Sequence, residues 1–208
     1  MVDASPERER AVGLALTGAS GTLYGLRLLE CLLGAGRPVR LMISRAARVV
    51  AALESEITLP ADTAECQRLL SRRFRAAAGQ LVVYGQAQWT APLASGSGAP
   101  GAMVICPCST GTLSAVANGA SDNLIERAAD VMLKEQRKLI LVIRETPLSA
   151  IHLENMLRLA RLGVVVMPAS PGFYQHPLEI GQLVDHLVAR ILDHLEVPHR
   201  LSPRWGGE

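Results

Sequence analysis

The chain has 208 residues, 49% apolar but only 3% aromatic, and a formal net charge of +2. That length suits one well-packed α/β domain, and the apolar fraction excludes wholesale disorder. The near-neutral balance, the lack of a basic cluster interleaved with aromatics and the lack of an apolar run of roughly 18 residues exclude nucleic acid and a membrane span.

Residues 1–10 are expected to be disordered or extended, and Ser5-Pro-Glu-Arg-Glu-Arg10 is polar where a signal peptide needs an apolar stretch, so a soluble cytoplasmic protein is expected. Short apolar runs at 11–16, 39–43, 81–83, 103–106, 138–143 and 164–167 predict strands. Their near-continuous apolarity fits strands covered on both faces. Helical-period segments at 21–33, 46–53, 64–77, 111–117, 124–134, 149–162 and 178–195 alternate with them. Alternation of this kind predicts a single-domain, doubly wound α/β fold over 11–197, Rossmann-like or flavodoxin-like, with helices on both faces of a parallel sheet.

In such sheets ligands sit beyond the carboxyl ends of the strands. The first strand leads into Thr17-Gly-Ala-Ser-Gly21, which opens a helix whose free N–H groups suit a phosphate or a polar ring edge; a tight turn with no ligand is the alternative. A nicotinamide dinucleotide requires G-x-G-x-x-G and a carboxylate at the end of the second strand. Gly18-Ala-Ser-Gly21 has the wrong spacing, and the second strand ends Met42-Ile-Ser44. Ser44 suits a ribityl hydroxyl or a phosphate instead, as in a mononucleotide such as FMN. Glu54 follows at the end of the next helix, a carboxylate whose role position alone does not establish. Arg68, Arg72, Arg73 and Arg75 read as a solvated helix face, and 89–101 as a mobile rim loop.

The stretch 103–156 is the richest in chemistry. Cys106-Pro-Cys108 lacks the two-residue spacer of metal and thioredoxin-like sites, so buried thiols at a strand end are expected. Pro107-Cys-Ser-Thr-Gly-Thr112 brings three hydroxyls and free N–H donors to a helix start, a phosphate cradle unless the hydroxyls only cap. Arg127, Lys134, Arg144 and Glu145 are expected beside it. Arg144-Glu145 directly follows a strand, whereas Arg127 and Lys134 also suit an ordinary solvated helix surface. Thr146-Pro-Leu-Ser149 reads as a helix start. Pro168-Ala-Ser-Pro-Gly-Phe-Tyr174 puts an aromatic pair after the last strand, and Arg190 is either a surface residue or a second anion clamp. The five histidines lack metal-ligand spacing, His152 has no visible partner, and no G-x-S-x-G elbow is present.

Taken jointly, Leu16-Thr-Gly-Ala-Ser-Gly21, Cys106-Pro-Cys-Ser-Thr-Gly-Thr-Leu113, Asp122-Asn-Leu-Ile-Glu-Arg-Ala-Ala-Asp130, Leu133-Lys-Glu135, Arg144-Glu-Thr-Pro-Leu148, Ile151-His-Leu-Glu-Asn-Met156 and Pro171-Gly-Phe-Tyr174 resemble the UbiX-type flavin prenyltransferases, from about residue 11 to Trp205. The resemblance implies that reduced FMN is alkylated at N5 by dimethylallyl phosphate and then closed at C6, giving prenylated FMN for UbiD-type decarboxylases of a ubiquinone-type pathway. It implies a metal-independent homododecamer built from trimers. By position, Gly18, Ala19, Ser20, Ser44, Ser109, Thr110, Gly111, Thr112 and Arg144 would hold FMN. Lys134, Glu145, Tyr174, Arg190 and Arg127 would bind the prenyl phosphate, Arg190 and Tyr174 from across a subunit interface, with Trp205 in the tail 198–208 closing over the site. Ser20, Glu54 and Glu145 would be catalytic: Glu54 and Ser20 in proton removal, Glu145 as donor to the leaving phosphate. An FMN-dependent cysteine decarboxylase is the runner-up, weakened because no His precedes His152. A non-catalytic flavin-binding protein would leave the second anion-binding set unexplained.

Overall fold

The apolar runs pair side by side into one sheet of six parallel strands. A computed structural model describes residues 6–203. Its strands are β1 (Val12–Leu16), β2 (Val39–Ile43), β3 (Leu81–Tyr84), β4 (Ala102–Cys108), β5 (Lys138–Ile143) and β6 (Val165–Pro168), in the spatial order β3-β2-β1-β4-β5-β6. Of the two doubly wound orders, this is the Rossmann one, and the winding reverses between β1 and β4. Side chains alternate between the two faces. Leu14, Leu16, Val104, Ile140 and Val142 face one core; Ala15, Ile105, Leu139 and Leu141 face the other.

The first core is closed by α2 (Thr22–Gly34) and α8 (Ile180–His194), through Leu28, Leu29, Leu32, Val188, Ile191 and Leu192. The second is closed by α5 (Thr110–Ala117), α6 (Leu124–Lys134) and α7 (Ala150–Arg161), through Leu113, Ala128, Val131, Met132 and Leu159. Between β2 and β3 lie α3 (Arg45–Glu54) and α4 (Thr63–Arg73). Ser44, Asp62, Ser109, Asn123 and Ser149 each accept a first-turn N–H as N-caps. At Ser149 the expected helix start is completed by His152, whose Nδ1 accepts the Ser149 N–H at 3.2 Å, so this histidine does have a partner.

Several expectations are corrected. Residues 6–10 form a short helix, α1 (Pro6–Arg10), rather than an extended arm. It is held by Glu9 to Arg137 at 3.1 Å and by the Gly101 N–H on the Arg8 carbonyl. The helix expected over 64–77 stops at Arg73, because Arg75 takes a left-handed conformation (φ 52°) and the chain turns back. Arg68, Arg72, Arg73 and Arg75 are all exposed, as expected. The segment 89–101 is packed: Ala91, Leu93 and Ala99 are buried, and 92–94 and 96–98 form 3-10 turns. The apolar residues set within its Ser/Gly run find the α6 side of the molecule. Cys106 and Cys108 are fully buried, and burial pushes both thiols far up. Among the described residues no helix is long and apolar enough to cross a membrane.

Candidate functional site

The strand order places a crevice at the carboxyl ends of β1 and β4, and the sequence fills that edge with small and hydroxyl residues. After β1 the chain turns at Gly18, Ala19 and Ser20 into α2. A side chain on Gly18 would put a Cβ 2.5 Å from the Ala46 Cβ, so the β1–α2 turn lies directly against the start of α3. Gly21 sits at φ 108°, a conformation open to glycine, and leads the chain into the helix. After β2, Ser44 donates its N–H to the Leu16 carbonyl at 3.0 Å and accepts the Ala47 N–H with its hydroxyl. After β4, the Ser109 hydroxyl lies 3.1 Å from the Thr112 hydroxyl and accepts the Thr112 N–H. The first N–H groups of α5 have no acceptor within the helix, and a Cβ on Gly111 would meet open space.

Thr17 joins these loops. It is buried, and its hydroxyl donates to the Pro107 carbonyl at 2.9 Å while accepting the Ser109 N–H at 2.8 Å. Sequence reasoning missed this role, although Thr17 lies within the first motif it singled out.

Glu54, at the last turn of α3, reaches back to the start of α2. Its carboxylate accepts the Gly21 N–H at 2.9 Å and the Thr22 N–H at 2.9 Å. Burial alone raises the carboxyl pKa, but the hydrogen bonds from Ser20, Gly21 and Thr22 outweigh it and hold the group below the usual carboxylate range. On the far side of the crevice, Arg144 follows β5 and donates from Nε to the Ser20 carbonyl at 3.3 Å. Gly18, Ala19, Ser20, Ser44, Glu54, Ser109, Thr110, Gly111, Thr112 and Arg144 are thus gathered at one edge. Glu145 follows Arg144, exposed, and accepts its neighbour Thr146's N–H at 3.0 Å. Tyr174 follows β6 with 78% of its surface exposed.

Three basic residues are placed elsewhere. Lys134 ends α6 and pairs with Glu135, at the opposite end of β5 from Arg144 and Glu145. Six strand residues, about 20 Å, separate the two ends. Arg190 lies well down α8, paired with Asp193 at 2.7 Å, near where the His194 carbonyl receives Lys138 at the start of β5. Arg127 spends its guanidinium on the Ala94 carbonyl at 3.0 Å and on Asp130 at 2.8 Å. The expected grouping of Arg127 and Lys134 with Arg144 and Glu145 therefore does not occur within one chain. Trp205 lies outside the described residues. The tail before it does approach the Tyr174 loop, where Gln175 donates to the Pro203 carbonyl at 3.1 Å.

This edge, on this sheet order, is that of a flavoprotein, and the sequence matches the Flavoprotein family over residues 3–192. Within that class the chain belongs to the flavin prenyltransferase UbiX family. It is 59% identical to the flavin prenyltransferase UbiX of Pseudomonas aeruginosa over 97% of this chain and 95% of that one. Among solved structures it is similar to AnUbiX (PadA1) in complex with FMN and dimethylallyl pyrophosphate, with TM-score 0.85 and 37% identity, covering 96% of this chain and 98% of that chain. It is also similar to a dodecameric FMN-dependent UbiX-like decarboxylase from Escherichia coli O157:H7, with TM-score 0.82 and 37% identity, covering 95% of this chain and all of the other.

Proposed function

We propose that this chain transfers the dimethylallyl group of dimethylallyl phosphate to reduced FMN, yielding prenylated FMN for a UbiD-type decarboxylase. The observation that carries this reading is Glu54, a charged carboxylate held by Ser20, Gly21 and Thr22 at the sheet's switch point, across from Arg144.

The residues present fit FMN. Ser109, Thr112 and the open N–H groups at the start of α5 suit its phosphate, with room beside Gly111. Ser44, Gly18, Ala19 and Ser20 line the neighbouring strand ends, and Arg144 bounds the other side. Reduced FMN supplies the electron-rich N5 and C6 at which the two new bonds form. Glu54, with Ser20 beside it, takes up the proton that must leave as the second bond closes. Glu145 donates a proton to the departing phosphate.

Departure of an allylic phosphate calls for anion clamps and exclusion of water rather than a strong base. Lys134, Arg190 and Tyr174 supply that clamp; Arg127 and Trp205 are assigned to it by the resemblance alone, Arg127 being bonded to Ala94 and Asp130 in this chain. Since Lys134 and Arg190 lie at the opposite edge of their own sheet, they serve the site of a neighbouring copy. This supports a homododecamer over a lone chain.

The test is anaerobic incubation of the purified protein with reduced FMN and dimethylallyl phosphate. A bound flavin heavier by one C5 unit is expected. Unaltered FMN still bound to folded protein would overturn the transferase reading and leave a flavin-binding protein. Running dimethylallyl diphosphate in parallel decides the donor.

A further inference from the structure

The segment after α8 carries a histidine that neither the core nor the flavin-holding edge uses. The chain turns back at Glu196, which takes a left-handed conformation (φ 55°), and His199 lies on the returning stretch. Its side chain is only 7% exposed. Nδ1 accepts the Leu201 N–H at 3.4 Å, and Nε2 lies 3.1 Å from the Asp193 Oδ1. A main-chain N–H can only donate, so the Nδ1 it meets is unprotonated and the ring proton sits on Nε2. His199 therefore donates to Asp193. The other oxygen of Asp193 receives the Arg190 guanidinium at 2.7 Å.

We propose that His199 is a positioning residue for prenyl phosphate binding, acting through Asp193 on Arg190. This rests on the reading of Arg190 as part of the phosphate clamp. An exposed arginine paired at i, i+3 with a carboxylate on its own helix is held only weakly by that pair. Here the carboxylate is itself fixed, because a buried ring holds one oxygen and leaves the other where Arg190 meets it. The pair uses NH1 of Arg190, and among the described residues no bond engages its Nε or NH2. Those donors remain for an incoming anion. An arginine that is already ordered gives up less rotamer freedom when it binds.

The same stretch is fastened further along. The Ser202 hydroxyl donates to the Gln175 side-chain oxygen at 3.1 Å, and the Gln175 amide donates to the Pro203 carbonyl at 3.1 Å. Gln175 directly follows Tyr174. One segment is thereby bonded both to the anchor of Arg190 and to the loop of Tyr174.

The test is the affinity of the full, FMN-loaded chain for dimethylallyl phosphate, measured by calorimetry with the flavin oxidised so that no transfer occurs. His199→Asn keeps an acceptor for Leu201 but ends short of Asp193, whereas in His199→Gln the amide nitrogen takes the place of Nε2. His199→Asn is expected to weaken dimethylallyl phosphate binding about tenfold, the cost of ordering one long side chain, with FMN affinity unchanged. His199→Gln should bind as the parent does. In an Arg190→Ala background His199→Asn should cost nothing further, because the residue it acts through is gone. Equal affinity in His199→Asn and the parent overturns the inference, and so does an equal loss in both backgrounds. A loss shared by FMN and not relieved by His199→Gln overturns it as well, being the mark of a purely structural role. If His199→Asn does not fold, His199→Phe, which fills the ring's space without its donor, takes its place. A parent that binds dimethylallyl phosphate yet leaves reduced FMN unaltered fails the transferase reading alone; a parent that does not bind it fails both.

Discussion

Thr17 and Ser109, 92 residues apart in sequence, are joined by a 2.8 Å hydrogen bond that ties the end of β1 to the end of β4. The Thr17 hydroxyl has its donor spent on Pro107 and its acceptor on Ser109, inside the fold. Thr17→Val removes both bonds. Pro107 keeps the Thr17 N–H at 3.1 Å, but the Ser109 N–H loses its acceptor. A loss of about 1–3 kcal/mol is expected, with weaker FMN binding because the α5 start is no longer fixed. Thr17→Ser should recover most of both. Thermal unfolding and fluorescence titration with FMN read the two effects.

Glu54 gives a pH signature. Hydrogen bonds from Ser20, Gly21 and Thr22 overcome the burial cost and lower its folded pKa below the ordinary value of 4.5. A lowered carboxyl pKa stabilises the folded state above the unfolded value, and that contribution disappears as pH falls through the folded value. Stability should therefore drop on acidification below about pH 4.5, and Glu54→Gln should flatten that limb. The same variant should keep FMN while slowing prenyl transfer by about 100-fold or more, the usual weight of a general base. Loss of FMN binding in Glu54→Gln would show that the carboxylate is mainly structural.

The approach of Gly18 to Ala46 is testable by a swap. Gly18→Ala sets two Cβ atoms 2.5 Å apart, with no flexible side chain to yield. Overpacking of this kind costs about 1–3 kcal/mol. Ala46→Gly in the same chain removes the clash and should restore the melting temperature to near that of the parent. A Gly18→Ala protein as stable as the parent would refute the close packing of these two turns.

Lys134 and Glu145 belong to opposite edges of one chain. If each site draws them from different copies, Lys134→Ala and Glu145→Gln proteins should each be inactive alone. Co-assembled in equal amounts, they should regain about a quarter of parent activity, the fraction of sites that receive both intact residues under random mixing. Activity that stays absent in the mixed assembly would place both groups in a single subunit.

Most strands were legible because a fully covered strand has to be apolar along its whole length; β2 and β5 coincide with their runs at 39–43 and 138–143. β4 runs on to Cys108, beyond the apolar run at 103–106, although Pro107 has no N–H to give a ladder. In fact a register shift between Ile105 and Cys108 absorbs the proline and pairing resumes. The loops 17–21 and 107–112 were readable from local composition. The role of Thr17 was not, because the group it serves is distant in sequence. Lys134 lies far from Glu145 within one chain for the converse reason: eleven residues along the sequence reads as near, yet β5 carries the two apart.

Two helices begin at the crevice, and they are not electrically alike. The first N–H groups of α2 already hold the protein's own carboxylate, Glu54, whereas at α5 the cap is the neutral Ser109 hydroxyl and a Cβ on Gly111 would meet open space. An anionic guest that competed for α2 would have to displace a negative charge already bonded there. The built-in carboxylate thus gives the crevice a polarity: a negative charge already offsets the helix start at α2, while a neutral hydroxyl caps the one at α5. That polarity would favour a nucleotide bound with its phosphate towards Ser109 and its ring towards Ser20.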